Sequence, residues 1–284
     1  MSVPKHLDPD PQVARARVSA PSGELAALVA SAAPGIPVRR GALLVPGYTG
    51  SKEDFWHLLP LLAHAGRPAT AIDLRGQCDS GGPEDLTTYT IDALAADVSA
   101  VLNAADEPLH LVGHSFGGLV CRAAVLSGAP VRSLTLLGSG PGALGGYRAS
   151  LVEAMRPILL GGGGVPELWQ ITAELNAAAT ALQPPAVQEY VRRRFLASPA
   201  AALLGMGEAV TQAADRTDEL AKTDVPVLVA CGENDDAWSP AEQQDMADRL
   251  GTELVTFPGT GHSPNVDTPE AVADTLTSFW NAVD

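Results

Sequence analysis

Cysteine, basic residues and long apolar runs are all scarce in this chain, and each scarcity removes a class of protein. The 3 cysteines, Cys78, Cys121 and Cys231, are odd in number and widely spaced. No CxxC pair is present, so neither a disulfide framework nor a cysteine metal site is expected, and free thiols in a reducing compartment fit best. Lys and Arg number 18 against 33 Asp and Glu, a formal net charge of −15. Phosphate binding needs clustered cations, so a field of this sign argues against nucleic acid and anionic membranes as partners. No apolar run reaches the roughly 18 residues a membrane helix requires. The opening MSVPKHLDPDPQ carries no apolar leader segment, which leads to the expectation of a cytoplasmic protein.

What is present is an ordinary globular balance, with 46% hydrophobic and 18% charged residues over 284 positions. That length suits one α/β domain with an insertion. Residues 1–14 are rich in Pro and Asp and read as a loose arm. Residues 15–20 and 24–31 alternate around Pro21-Ser22-Gly23 and read as a β-hairpin.

From residue 39 short apolar runs alternate with helical stretches. RRGALLVPG, PATAIDLRG, LHLVGHS, VRSLTLLGS, VPVLVACG and ELVTFPG are strand candidates, each closed by turn residues. Their near-continuous apolarity suits strands covered on both faces. Helices are expected near 53–65, 90–105, 117–127, 240–250 and 268–282, which makes a doubly wound α/β sheet. Residues 15–140 and 223–284 would form this core. Residues 141–222 hold no good strand and read as a helical cap over the strand ends, where open α/β sheets bind ligands.

The strongest signal is Gly113-His114-Ser115-Phe116-Gly117-Gly118, between the strand LHLV and the helix GLVCRAAVLSG. A G-x-S-x-G turn from strand to helix lifts a serine hydroxyl above the sheet, and the helix N-terminus favours a developing anion. Such a serine needs a base, and the base needs an orienting acid. Of the 6 histidines, His262 alone lies in a glycine-bearing loop, GTGHSPN, after the last strand. His114 is read as a packed neighbour. The acid should fall between serine and base in the chain, where VPVLVACG ends in Glu233-Asn234-Asp235-Asp236. Asp235 is favoured and Asp236 competes.

These three residues resemble the nucleophile, acid and base of the α/β-hydrolase family, and the likeness covers nearly all of residues 15–284. The chain is similar to the capped esterase, C–C hydrolase and cofactor-free haloperoxidase members, which share G-H-S-x-G-G. The resemblance implies a mostly parallel eight-stranded sheet with helices on both faces, no cofactor and no metal. It also implies an oxyanion hole from the backbone N–H groups of Phe116 and Tyr48. Two such donors are worth roughly 3 kcal/mol each in barrier height. The family usually has His-Gly in the loop that carries Tyr48. This chain has Pro46-Gly47, which removes a histidine that often braces that loop.

Weaker features remain. Arg192-Arg193-Arg194 reads chiefly as a solvated helix face partnering nearby acids, with a carboxylate or phosphate clamp as the alternative. Gln77 and Cys78 follow DLRG in a strand-end loop, and nothing visibly activates the thiol. Trp169, Phe195, Met155 and Met206 are candidate pocket residues. The leading expectation is a serine hydrolase acting on an ester of a small acyl substrate. A thioester, lactone or C–C bond, or perhydrolysis, would use the same three residues. A binding protein without turnover stands as the third reading, and the oligomeric state is left open.

Overall fold

The computed structural model describes residues 2–8 and 10–284. The eight strands are β1 Val13–Ala20, β2 Gly23–Ala30, β3 Ala42–Val45, β4 Ala69–Ile72, β5 Leu109–His114, β6 Val131–Leu137, β7 Val227–Gly232 and β8 Leu254–Phe257. They form one sheet in the order β1-β2-β4-β3-β5-β6-β7-β8. β1 pairs antiparallel with β2, and β2 with β4, while every later pairing is parallel. The expected hairpin and all six apolar runs are strands.

Successive side chains of a strand point to opposite faces, and both faces here are covered. Leu43, Val45, Leu111, Leu134 and Val229 pack on one side with α2 (Ile91–Asn103), α3 (Phe116–Leu126) and α10 (Pro240–Leu250). Ala42, Leu44, Val112, Leu137 and Leu228 pack on the other with α1 (Leu58–His64) and α12 (Pro269–Val283). The helix expected over 53–65 is a 3-10 turn, Lys52–Phe55, followed by α1.

Between β6 and β7 the chain is helical: α4 Gly146–Leu160, α5 Gly164–Leu175, α6 Ala177–Thr180, α7 Pro185–Leu196, α8 Ala200–Thr211 and α9 Thr217–Leu220. A short α11, Pro264–Asp267, precedes α12. α4 carries Pro157 in its last turn. The lost N–H and the glycines after it hide this helix from a sequence pattern.

α7 carries Val187, Tyr190, Val191 and Arg194 at helical spacing on its buried face. Arg194 is therefore not on the solvated face expected for Arg192–Arg194. Its side chain is 1% exposed and pairs with Asp54 at 2.7 Å. Arg193 reaches Asp79 at 2.8 Å, while Arg192 stays at the surface beside Glu189. Tyr190 donates to Glu53 at 2.6 Å and shares a bond with Ser51. Burial works against the Lys52 charge, but Asp73, Glu53 and Asp79 outweigh it and hold the ammonium protonated. α7 thus sits on a buried ionic cluster of the sheet domain.

The first residues, read from the sequence as a loose arm, are packed against α7. Ser2 is buried, its hydroxyl bonds that of Ser263 and its carbonyl accepts from Arg194. Val3 and Leu7 cover Val187, Tyr190 and Val191, because they are the apolar residues of this stretch. β1 starts at Val13, two residues earlier than expected. Met1 and Pro9 lie outside the described residues.

Candidate active site

β5 ends at His114 and α3 starts at Phe116, so Ser115 alone makes the turn. It does so at φ 54° and ψ −125°, a backbone conformation that costs a non-glycine residue about 1–3 kcal/mol. The turn closes because its flanks have no side chains. A Cβ on Gly113 would lie 2.5 Å from the Gly117 carbonyl, and one on Gly117 would lie 2.5 Å from the carbonyls of Val45 and Pro46. The strain is held by the sheet, and it aims the hydroxyl into a cavity at the strand ends.

His262 reaches Ser115 from the loop between β8 and α11. Its Nε2 is 2.9 Å from Ser115 Oγ, and its Nδ1 is 2.8 Å from Asp235 Oδ1. With Nδ1–H donating to the carboxylate, Nε2 is left to accept the serine proton. The loops after β7 and β8 are stitched together by backbone bonds, Glu233 N–H to Phe257 at 3.0 Å and Asn234 N–H to Thr260 at 2.9 Å. The loops of Asp235 and His262 are thereby set relative to each other before any side chain is placed.

The Asp235 side chain is fully buried. Burial pushes its carboxyl up, but His262, the Ala237 N–H and the Gln243 amide together outweigh this and hold it below the ordinary carboxylate value. It is the carboxylate that His262 Nδ1 meets. Asp236 turns outward and forms a two-pronged pair with Arg148 of α4, and that guanidinium is the main reason its carboxyl lies below the ordinary value. The two aspartates left open by the sequence have different partners, and only Asp235 touches the histidine.

His114 is packed, as expected, and does more than fill space. Its Nε2 donates to the His262 carbonyl at 2.9 Å, and burial pushes its pKa down to about 3. It is a neutral brace under the His262 loop.

Phe116 occupies the first turn of α3, where backbone N–H groups have no partner inside the helix. The loop carrying Tyr48 lies against Ser115: a Cβ on Gly47 would be 2.9 Å from Ser115 Cβ. Gln77, which the sequence places only in a nearby loop, donates to the Gly47 carbonyl at 2.8 Å. No local pattern marks that bond, since it joins two loops 30 residues apart. The Tyr48 hydroxyl donates to the Leu203 carbonyl at 2.8 Å and so ties this loop to α8.

The cavity above Ser115 measures about 410 Å³, within the range of small-molecule sites. Met155, Trp169 and Phe195 line it. Met206 does not. It belongs to the apolar cluster against the sheet, because α8 is buried on nearly every side and turns that residue inward. Among the described residues, Arg148 is the one Arg, Lys, Asp or Glu in the lining, and Asp236 neutralises it. None of Arg192, Arg193 and Arg194 lines the cavity, so the clamp alternative has no geometry behind it. Cys78 is buried, and its thiol is pushed up to about 12, chiefly by burial, which leaves it unreactive. Cys121 and Cys231 are buried free thiols as well. Among the described residues, no helix is long and apolar enough to cross a membrane.

The sequence pattern of the alpha/beta hydrolase family matches residues 42–275. A Variovorax paradoxus protein named putative carbamate hydrolase RutD is 30% identical over 253 residues, covering 86% of this chain and 92% of its own. A solved esterase from Thermogutta terrifontis superposes with a TM-score of 0.72 at 25% identity, over 95% of this chain and 99% of its own. A hydrolase from Pseudomonas aeruginosa superposes with a TM-score of 0.76 at 23% identity, over 94% of this chain and 98% of its own. The strand order, the serine turn and these likenesses agree: the chain belongs to the alpha/beta hydrolase family and is a hydrolase.

Proposed function

We propose that the protein is a serine hydrolase that cleaves carboxylic esters of small, uncharged molecules through an acyl-enzyme. The observation that carries this reading is the unbroken hydrogen-bond chain from Asp235 through His262 to Ser115, opening onto a cavity. Ser115 Oγ attacks the acyl carbonyl carbon while its proton passes to His262 Nε2. The Phe116 and Tyr48 N–H groups hold the resulting oxyanion. Collapse expels the alkoxide, which His262 protonates. Water, deprotonated by His262, then attacks the acyl carbon and frees Ser115. Asp235 stays ionised throughout and stabilises the imidazolium.

The α4–α8 segment serves as the cap and chooses the substrate. The lining supports an apolar acyl group, with Met155, Trp169 and Phe195 around it. Among the described lining residues, a carboxylate on the substrate would find one guanidinium, Arg148, already paired, in a protein of net charge −15. A carbamate carbonyl is the second substrate class, supported by the likeness to the protein named putative carbamate hydrolase. A panel of p-nitrophenyl esters from acetate to decanoate, with a p-nitrophenyl carbamate and a succinate half-ester, tests the reading. Turnover is expected on neutral apolar esters, with the half-ester at least about tenfold slower. Preference for the charged ester would overturn the neutral-substrate reading, and preference for the carbamate would move the assignment to that bond.

A further inference from the structure

We infer that Gln77 is the positioning residue of the oxyanion loop, a role that rests on the reading of Tyr48 N–H as a donor to the oxyanion. The Gly47 carbonyl and the Tyr48 N–H belong to one peptide unit. That unit is planar and trans, so the two groups point in opposite directions. Whatever fixes the Gly47 carbonyl therefore aims the Tyr48 N–H. Gln77 Nε2 donates to that carbonyl at 2.8 Å, and the Gly50 N–H donates to it at 3.0 Å. Rotating this peptide would break both bonds and turn a carbonyl oxygen toward the place where negative charge develops.

The amide of Gln77 is itself held. Its Oε1 accepts from the Leu74 N–H at 3.0 Å, so the amide can present only its NH2 to Gly47. The residue is 2% exposed, and its own backbone is pinned in the turn, N–H to Leu74 and carbonyl to Ser80. Both loops joined by this bond carry a strained non-glycine residue, Thr49 at φ 58° and Cys78 at φ 41°. A loop strained in this way needs an external tie to keep one conformation. Gln77 supplies the brace that Pro46 cannot.

The balance of the alternatives turns on electrostatics. A glutamate at this position keeps the shape, but its ionised oxygen would face the Gly47 carbonyl and repel it. When protonated, the same carboxyl can donate again. Gln77→Glu is therefore a pH-dependent version of the brace, and Gln77→Met removes the donor with little change in volume.

The experiment measures the rate of labelling by a fluorophosphonate and the hydrolysis of p-nitrophenyl butyrate, from pH 5 to pH 9. Wild type, Gln77→Met, Gln77→Glu and Ser115→Ala are compared. Gln77→Met is expected to lower kcat and the labelling rate by about 10–100-fold, below the loss of a whole oxyanion donor, with KM within about threefold. The Gln77→Glu activity, taken as a ratio to wild type at each pH, is expected to rise as pH falls. A residue that merely knits two loops together would lower the thermal midpoint and leave that ratio flat. A flat ratio with unchanged kcat in both Gln77 variants, while Ser115→Ala is dead, overturns the role of Gln77 alone. Full labelling and turnover in Ser115→Ala overturns the serine reading and the brace with it.

Discussion

On the sheet side of the cavity, backbone meets backbone. Gly113 and Gly117 let β5, α3 and the Pro46 loop touch, and Asn234 and Thr260 stitch the Asp235 loop to the His262 loop. On the α4–α8 side, the same cavity is walled by side chains, Met155, Trp169 and Phe195, on helices that also leave Leu160 and Leu175 exposed. The sheet side has one geometry, set by sterics and main-chain bonds. The helical side can change side chain by side chain. On the function proposed above, chemistry uses the first kind of wall and substrate choice the second. Where the two meet, charge does the joining, through Arg194–Asp54 under α7 and Arg148–Asp236 at the mouth.

Breaking the sheet side should cost most. Asp235→Asn leaves the shape but presents an N–H where His262 needs an acceptor, and kcat is expected to fall about 10⁴-fold. Asp236→Asn, one residue along, loses only an exposed pair and should stay within about twofold. Steady-state kinetics on one ester checks both, and equal losses would erase the distinction between the two aspartates.

The joint comes next. Arg194→Met strands Asp54 in the interior and is expected to destabilise the protein by about 3–5 kcal/mol in urea unfolding. Arg192→Ala, on the solvated face of the same helix, should stay within about 0.5 kcal/mol. A mild Arg194 variant would mean that α7 is held by its apolar contacts rather than by the ionic cluster.

The sheet side also carries an acid sensitivity held in two buried histidines. Burial holds His110 down at about 4 and His114 at about 3. Below the unfolded value of about 6.5 the unfolded chain binds protons that the folded chain refuses. Stability therefore falls as pH drops from about 6.5 toward 4, by up to about 1.4 kcal/mol per pH unit for each histidine. Thermal unfolding of His110→Phe between pH 7 and pH 5 should show a shallower decline than wild type, and an unchanged slope would assign the acid sensitivity elsewhere.

The smallest effect belongs to the helical wall. Trp169→Ala enlarges the cavity, so the preferred acyl chain should lengthen, with kcat/KM on long esters changing by roughly 10-fold at most. The kcat on short esters should hold. A change confined to kcat on every ester would mean that Trp169 acts on the chemistry rather than on the fit.

The same division governs how much the sequence discloses. β5, the glycines around Ser115 and the loop of His262 are local patterns with one steric meaning each, and they are legible. Met206 and Arg194 are not, because a helix buried on several sides shows which residues are apolar but not which neighbour each one meets. For Arg194 the spacing with Val187, Tyr190 and Val191 is an available signal, masked by two further arginines beside it. α4 is hidden by Pro157 and the glycines after it. Gln77 leaves no trace, since its partner is a carbonyl brought near by the sheet.

The most direct test is mass spectrometry of the protein quenched in acid during turnover of a p-nitrophenyl ester. The account predicts the acyl mass on the peptide containing Ser115, built up in a burst and absent from Ser115→Ala. Turnover without any acylated peptide, or with the acyl group on another residue, would contradict it.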